Sequence, residues 1–243
     1  MNLKIGIVCA SDDELAPFLP EIDHCGTREK AMLKFYEGKI CGIEVVAVYS
    51  GVCKVNAAIA AQILIDDFGV SAIMNAGVAG GMDPTLRICD TVISTEVCYH
   101  DVENDVLTEF HPWMDSIFFR ADDKLLELSR TAVGEITTAG KVYWGRMVTG
   151  ESFIENDGRE SINQSLSPLS VDMESASIAH VCYVNGIPFL SIRCITDTAE
   201  HSGHTNFEEN CTKASEIAKD VTVAILSKIR SSQNGVEQIC TVI

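Results

Sequence analysis

Five short runs constrain the fold most: LKIGIVCA (Leu3 to Ala10), IEVVAVYS (Ile43 to Ser50), SAIMNAG (Ser71 to Gly77), DTVISTEVC (Asp90 to Cys98) and PFLSIRCIT (Pro188 to Thr196). Each has the length and β-branched content of a strand, and several are apolar at consecutive positions, so both strand faces need cover. A sheet buried on two faces takes helices on both sides. Helical patterns lie between the runs, at Val55 to Phe68, Asp122 to Val133, Met173 to Asn185 and Phe207 to Ile229. Gly69 and Gly186 stand where a left-handed residue closes a helix, and Pro188 bars continuation of the third. The fourth opens NFEE, which places Asn206 as its cap. No repeat or long linker interrupts this order. Residues 1–230 are expected to form a single domain, and the polar segment 231–243 a flexible C-terminal tail.

Charge narrows the partner. With 18 basic and 35 acidic side chains the formal net charge is -17, which repels nucleic acid and anionic membrane surfaces. No window approaches the roughly 20 apolar residues of a bilayer span. The apolar start IGIVCA runs into SDDE without a cleavage pattern, so a cytoplasmic location is expected. The ten cysteines are scattered without C-x-x-C, as reduced core-filling thiols would be. His201 and His204 form H-x-x-H with no further ligands nearby, so no metal is expected, and no cofactor motif is present. The expected partner is a neutral or cationic small molecule.

Four segments could carry chemistry. CASDDELAP sets Asp12, Asp13 and Glu14 at the carboxyl end of the first strand, where α/β sheets bind ligands. The same acids suit the first turn of a helix, each for about 0.3–1 kcal/mol. NAGVAGG (Asn75 to Gly81) offers glycines for a tight turn or for close approach of a ligand, but no helix-opening pattern follows, so a dinucleotide site is disfavoured. SVDMESASIAH (Ser170 to His180) places Asp172 as an N-cap and Glu174 in the first turn of a helix, and nothing local requires catalysis. IRCITDTAEHSGH carries Arg193 inside an apolar strand, where a buried cation must find a carboxylate, and ends the strand near Asp197.

In this order the segments resemble the 5'-methylthioadenosine/S-adenosylhomocysteine nucleosidases of the purine nucleoside phosphorylase and uridine phosphorylase superfamily. VDMESASIAHVC at fixed spacing from PFLSIRCITDTA is the most specific part, supported by NAGVAGG, KVNAA, YHDV and ADDKL, and the match runs from Lys4 to about Ile229. The resemblance implies a three-layer α/β/α fold around a central mixed β-sheet, nucleoside phosphorylase-like, and a homodimer. It implies hydrolysis of the N-glycosidic bond of an adenine nucleoside without a cofactor. By matched position Glu14 is similar to the carboxylate that activates water, Asp197 to the acid that protonates the purine, Glu174 to the ribose-holding carboxylate and Arg193 to the group that orders them. Met173 would pack on the sugar, Phe153 would stack on the base and Ile154 would read its edge. Val78, Ala79, Gly80, Thr196 and Asp172 complete the implied substrate-binding set. A neutral Asp197 near pH 7 needs an upward shift of about three pKa units, roughly 4 kcal/mol.

Three departures from the family pattern stand out. Asp172 replaces the usual glutamate and loses about one methylene of reach, which suits a cap or distal support. Val78 stands where many relatives carry a small hydroxyl residue. The stretch Val102 to Phe119 aligns poorly with the loop that reaches the partner's pocket, where Phe110, Pro112 and Trp113 could rebuild an apolar wall around the 5'-substituent. The alternatives left open are a nucleosidase for another 5'-modified adenine nucleoside such as 5'-deoxyadenosine, a phosphate-dependent phosphorylase, and a non-catalytic nucleoside binder. The acidic ASDDE loop, with no arginine to offset it, disfavours phosphate.

Overall fold

Side-chain alternation along the strands sorts residues into two cores, one on each face of the sheet. In β1 (Lys4–Cys9), Ile5, Ile7 and Cys9 enter one core and Val8 the other, and in β4 (Ile43–Tyr49) Ile43, Val45 and Ala47 oppose Val46 and Val48. A computed structural model describes residues 3–201 and 203–232. Among them, ten strands join one mixed sheet and seven α-helices cover it. The remaining strands are β2 (Asp23–Lys30), β3 (Leu33–Ile40), β5 (Ala72–Gly81), β6 (Thr91–Tyr99), β7 (Phe119–Arg120), β8 (Val142–Thr149), β9 (Ser170–Asp172) and β10 (Phe189–Asp197). The helices are α1 (Asp12–Leu15), α2 (Lys54–Phe68), α3 (Asn104–Glu109), α4 (Asp123–Gly134), α5 (Asn156–Leu166), α6 (Ser175–Asn185) and α7 (His204–Ser231).

The pairings explain the mixed sheet. β1 lies parallel to β4 and β5, and β5 is parallel to β10. β10 runs antiparallel to β6, β6 parallel to β8, β8 parallel to β9, and β9 antiparallel to the end of β5. These five strands therefore close a ring, and β4, β3 and β2 extend from it through β1. One core packs the sheet against α4 and α7, through Leu125, Leu128, Val221 and Ile225. The other packs it against α2 and α6, through Ala57, Leu64, Ala176 and Ile178. The result is the expected three-layer α/β/α class.

The five strand runs and four helical patterns correspond to β1, β4, β5, β6, β10, α2, α4, α6 and α7, with corrections at the functional ends. β5 continues to Gly81, so NAGVAGG is strand and not turn. The third helix starts at Ser175, because Ser170–Asp172 is held as β9 between β5 and β8. The fourth starts at His204 with Gly203 in the cap position, so Asn206 lies in the first turn and is not the cap. Of the tail expected at 231–243, residues 233–243 lie outside the described residues. Among the described residues, all nine cysteines are unpaired, and no helix is long and apolar enough to cross a membrane.

Phe18, fully buried in the core beneath α7, anchors the turn after α1. Phe18→Ala is expected to cost about 3–5 kcal/mol through lost burial and the cavity left behind. The measurement is the shift of the urea unfolding midpoint.

Candidate active site

The site is organised by a guanidinium with no exposure to solvent. Arg193, inside β10, is 0% exposed, and an unpaired charge there would be very costly. Its Nε donates to Asp172 Oδ2 (2.9 Å), its Nη2 to Glu174 Oε2 (3.1 Å), and its Nη1 to Glu14 Oε1 (3.4 Å) and the Val78 carbonyl (3.3 Å). Asn75, with its amide oriented to satisfy both ends, accepts from Nη2 at 2.8 Å and donates to the Val8 carbonyl at 3.0 Å. Four segments distant in sequence thus meet on one cation. Burial alone would lower its pKa, but Asp172, Glu14 and Glu174 outweigh that and raise it.

Glu14 satisfies both readings of its segment. It is the third residue of a capping box, with Ser11 Oγ accepting the Glu14 N–H and Glu14 Oε2 accepting the Ser11 N–H. The Ala10 N–H also donates to Oε2, and the Val78 N–H donates to Oε1 at 2.8 Å. Gly77 makes the approach possible, since a Cβ there would stand 2.2 Å from Glu14 Oε1 and 2.7 Å from Arg193 Nη1. Burial raises the Glu14 pKa, opposed by Arg193 and the three backbone donors.

Glu174 occupies the cap position of α6 but does not cap it. Its Oε1 instead accepts the Cys53 N–H at 3.0 Å, offered from a residue held at φ 81° at the start of α2. Burial raises the Glu174 pKa; Arg193 opposes the shift, while Asp172 and Glu14 add to it. Asp172 does the capping work from the end of β9, its Oδ1 accepting the N–H groups of Glu174 (3.2 Å) and Ser175 (3.1 Å) and the Thr149 hydroxyl (2.6 Å). The shorter acid is therefore a shared support for Arg193 and the helix start.

Asp197 ends β10 and is 1% exposed. Thr196 Oγ1 lies 3.0 Å from its Oδ1 and 3.3 Å from the Ala79 carbonyl, and Arg159 Nη2 lies 2.6 Å from its Oδ2. Burial raises its pKa, opposed chiefly by Arg159. Gly80 faces it, and a Cβ there would come within 3.2 Å of Oδ2.

Glu14, Glu174 and Asp197 all line one cavity of about 350 Å³. Val78, Ala79, Gly80, Asp172, Met173, Phe153 and Ile154 line the same cavity. Thr196 reaches the cavity only through the hydrogen bond to Asp197. Phe110 and Trp113 are 62% and 66% exposed, and with Pro112 they stand outside this cavity. The sequence reading missed His204, which stacks on Phe153 with ring centres 4.3 Å apart, and Phe207, which meets Phe153 edge-on. It also missed Arg159. The His204 signal was present in H-x-x-H, but was read only as a metal motif. Among the described residues, no group of three or more His, Cys, Asp or Glu side chains could hold a metal ion.

Known proteins give the same picture. Residues 4–227 match the model of the Phosphorylase superfamily. The chain is 36% identical to a 5'-methylthioadenosine/S-adenosylhomocysteine nucleosidase of Halalkalibacterium halodurans, over 93% of this chain and 99% of that protein. A solved nucleosidase of that name from S. pneumoniae, bound to a transition-state inhibitor, superposes with TM-score 0.85 at 29% identity, covering 93% of this chain and 100% of that one. The adenine complex of the Colwellia psychrerythraea nucleosidase has TM-score 0.85 and 30% identity, covering 94% of this chain and 96% of that one.

Removing one partner of a buried ion cluster leaves the others uncompensated. Arg193→Met is expected to cost about 3–5 kcal/mol near neutral pH. The loss should shrink as pH falls from about 8 to about 5, because Glu14 and Glu174, both raised by burial, take up protons in the folded state and shed the uncompensated charge. Thermal unfolding across that range tests it, and a loss that grows on acidification would contradict the account.

Proposed function

The chain belongs to the 5'-methylthioadenosine/S-adenosylhomocysteine nucleosidases of the phosphorylase superfamily, and from that premise we propose how its residues divide the reaction. The enzyme hydrolyses the N-glycosidic bond of methylthioadenosine and S-adenosylhomocysteine, releasing adenine and a 5'-thio-substituted ribose. Carrying the assignment is the placement of Glu14 and Asp197 on one cavity, with Glu14 filling the cradle of N–H groups from Ala10, Ser11 and Val78. A phosphate dianion would need those donors, and the neighbouring Glu174 and Asp172 would repel it. Water is the nucleophile that fits.

Residues 1–230 act as one catalytic unit in this reading. Phe153 stacks on the adenine, Ile154 reads its edge, and Met173 packs on the ribose. Glu174 accepts the ribose hydroxyls with the lone pairs left by Cys53 and Arg193. Asp197 gives its proton to N7, the imidazole nitrogen that carries no sugar. The C1'–N9 electron pair then leaves on a neutral purine. Glu14 takes the proton of the water that bonds to C1', and the carboxylates stabilise the oxocarbenium-like sugar. Val78 supplies its N–H to Glu14 where relatives have a hydroxyl side chain.

The same resemblance supports a homodimer, and the start of the sequence supports a cytoplasmic location. The outward sides of α2 and α6 carry Val55 (69% exposed), Ile59 (43%), Tyr183 (50%) and Val184 (45%), an apolar surface suited to a second copy. Phe110, Pro112 and Trp113 would then approach the partner's cavity. Val55→Asp is expected to give monomers by sedimentation velocity; an unchanged dimer would remove α2 from the interface.

Asp197→Asn should lower adenine release from methylthioadenosine by about 10²–10⁴-fold or more while the protein stays folded, as read by circular dichroism. Wild-type turnover should be the same with and without phosphate. Near-normal turnover in the variant, or strict phosphate dependence, would overturn the assignment.

A further inference from the structure

Arg159, in the first turns of α5, is 4% exposed and reaches the acid at the purine end. Its Nη2 donates to Asp197 Oδ2 at 2.6 Å, its Nη1 donates to the Gly81 carbonyl and lies 3.7 Å from Met82 Sδ, and its Nε has no partner. The contact with Asp197 is end-on through one nitrogen, without the second parallel bond of a paired fork. Here Oδ1 is left to the Thr196 hydroxyl, which can turn instead to the Ala79 carbonyl.

We propose that Arg159 is a positioning residue for the acid step: it occupies Asp197 Oδ2, confines the transferable proton to Oδ1, and stabilises the carboxylate left behind. A guanidinium only donates, so the oxygen it touches is the unprotonated one. When Oδ1 carries the proton, the Thr196 hydroxyl donates to Ala79. When the proton has moved to N7, the hydroxyl turns back to the carboxylate. Asp197 loses one O–H bond, N7 gains one N–H bond, and exchange with solvent restores the acid. Arg159 thus lowers the proton affinity that burial gives Asp197, making it a stronger acid at the moment of bond cleavage. His204 from α7 also acts on Asp197, and like Arg159 it lowers the proton affinity there. The facing strand β5 brings Gly80, and Arg193 on β10 turns its donors to Glu14, Asp172 and Glu174.

This inference rests on Asp197 being the acid of the proposed mechanism. The test is kcat and KM for adenine release from methylthioadenosine against pH, for wild type, Arg159→Gln and Arg159→Lys. In Arg159→Gln, loss of the cation should move the alkaline limb of kcat, where Asp197 loses its proton, upward by about one pH unit or more. Its plateau should fall about 10–100-fold with KM changed less than about threefold, because only the proton transfer is weakened. Arg159→Lys preserves the buried charge and is the variant to read if Gln does not fold. Its limb should stay within about half a unit of wild type. Its plateau should fall several-fold, since one ammonium cannot hold Oδ2 and the Gly81 carbonyl in the same geometry. An alkaline limb that stays put in Gln, moves as far in Lys as in Gln, or a Lys variant with wild-type kcat, overturns the proposal. Absence of adenine release from the wild type would instead sink the nucleosidase mechanism beneath it.

Discussion

Everything around Glu14 and Glu174 depends on one buried guanidinium answering three carboxylates. Arg193 could not remain in β10 without Asp172, Glu174 and Glu14, and none of these acids could be buried so deeply without it. The requirement is geometric as well as electrostatic. Glu14 follows β1, Asp172 ends β9, Glu174 begins α6 and Arg193 lies in β10, so the ion cluster forms only when these elements have docked. Stability and function are therefore coupled in the same atoms.

Glycines set how closely those atoms can approach. β5 pairs with β1, β9 and β10, and it presents backbone where other strands present side chains. Gly77 admits the Glu14 carboxylate against the strand, and Gly80 leaves room beside Asp197. The Val78 N–H between them becomes a donor to Glu14, so a residue that brings no polar side chain still contributes to the site.

The legible part of the sequence was what depends on periodicity. β1, β4, β10, α2 and α4 were readable because their apolar residues recur at intervals that only one secondary structure satisfies. β2 was not, because all eight of its residues are exposed and its pairing with β3 supplies order without an apolar pattern. β9 was not, because three residues carry no period, and its strand state is imposed by neighbours on both sides. Asp172 is the cap that its local sequence announced, but its further partner Thr149 could not be read from that segment alone. The family resemblance pointed to Glu14, Glu174 and Asp197, whereas nothing near Arg159 in sequence marks it as the partner of Asp197, 38 residues away.

The two arginines give the ends of the cavity different proton inventories. Around Arg193, one cation serves three carboxyls, and in the proposed mechanism the excess negative charge would be available to a sugar becoming positive. Burial raises the proton affinity of Glu14 and of Glu174, with Asp172 and Glu14 adding to the rise at Glu174, and a raised proton affinity suits a base. Around Arg159, one cation serves one carboxyl, and in the proposed mechanism its proton would pass to the base and leave a matched ion pair. In the mechanism we propose, moving a proton from Asp197 to the purine while Glu14 takes one from water would shift charge between these ends without bringing a net ion into the interior. The separation of acid and base in that mechanism would then be a consequence of how many carboxylates each buried arginine must balance.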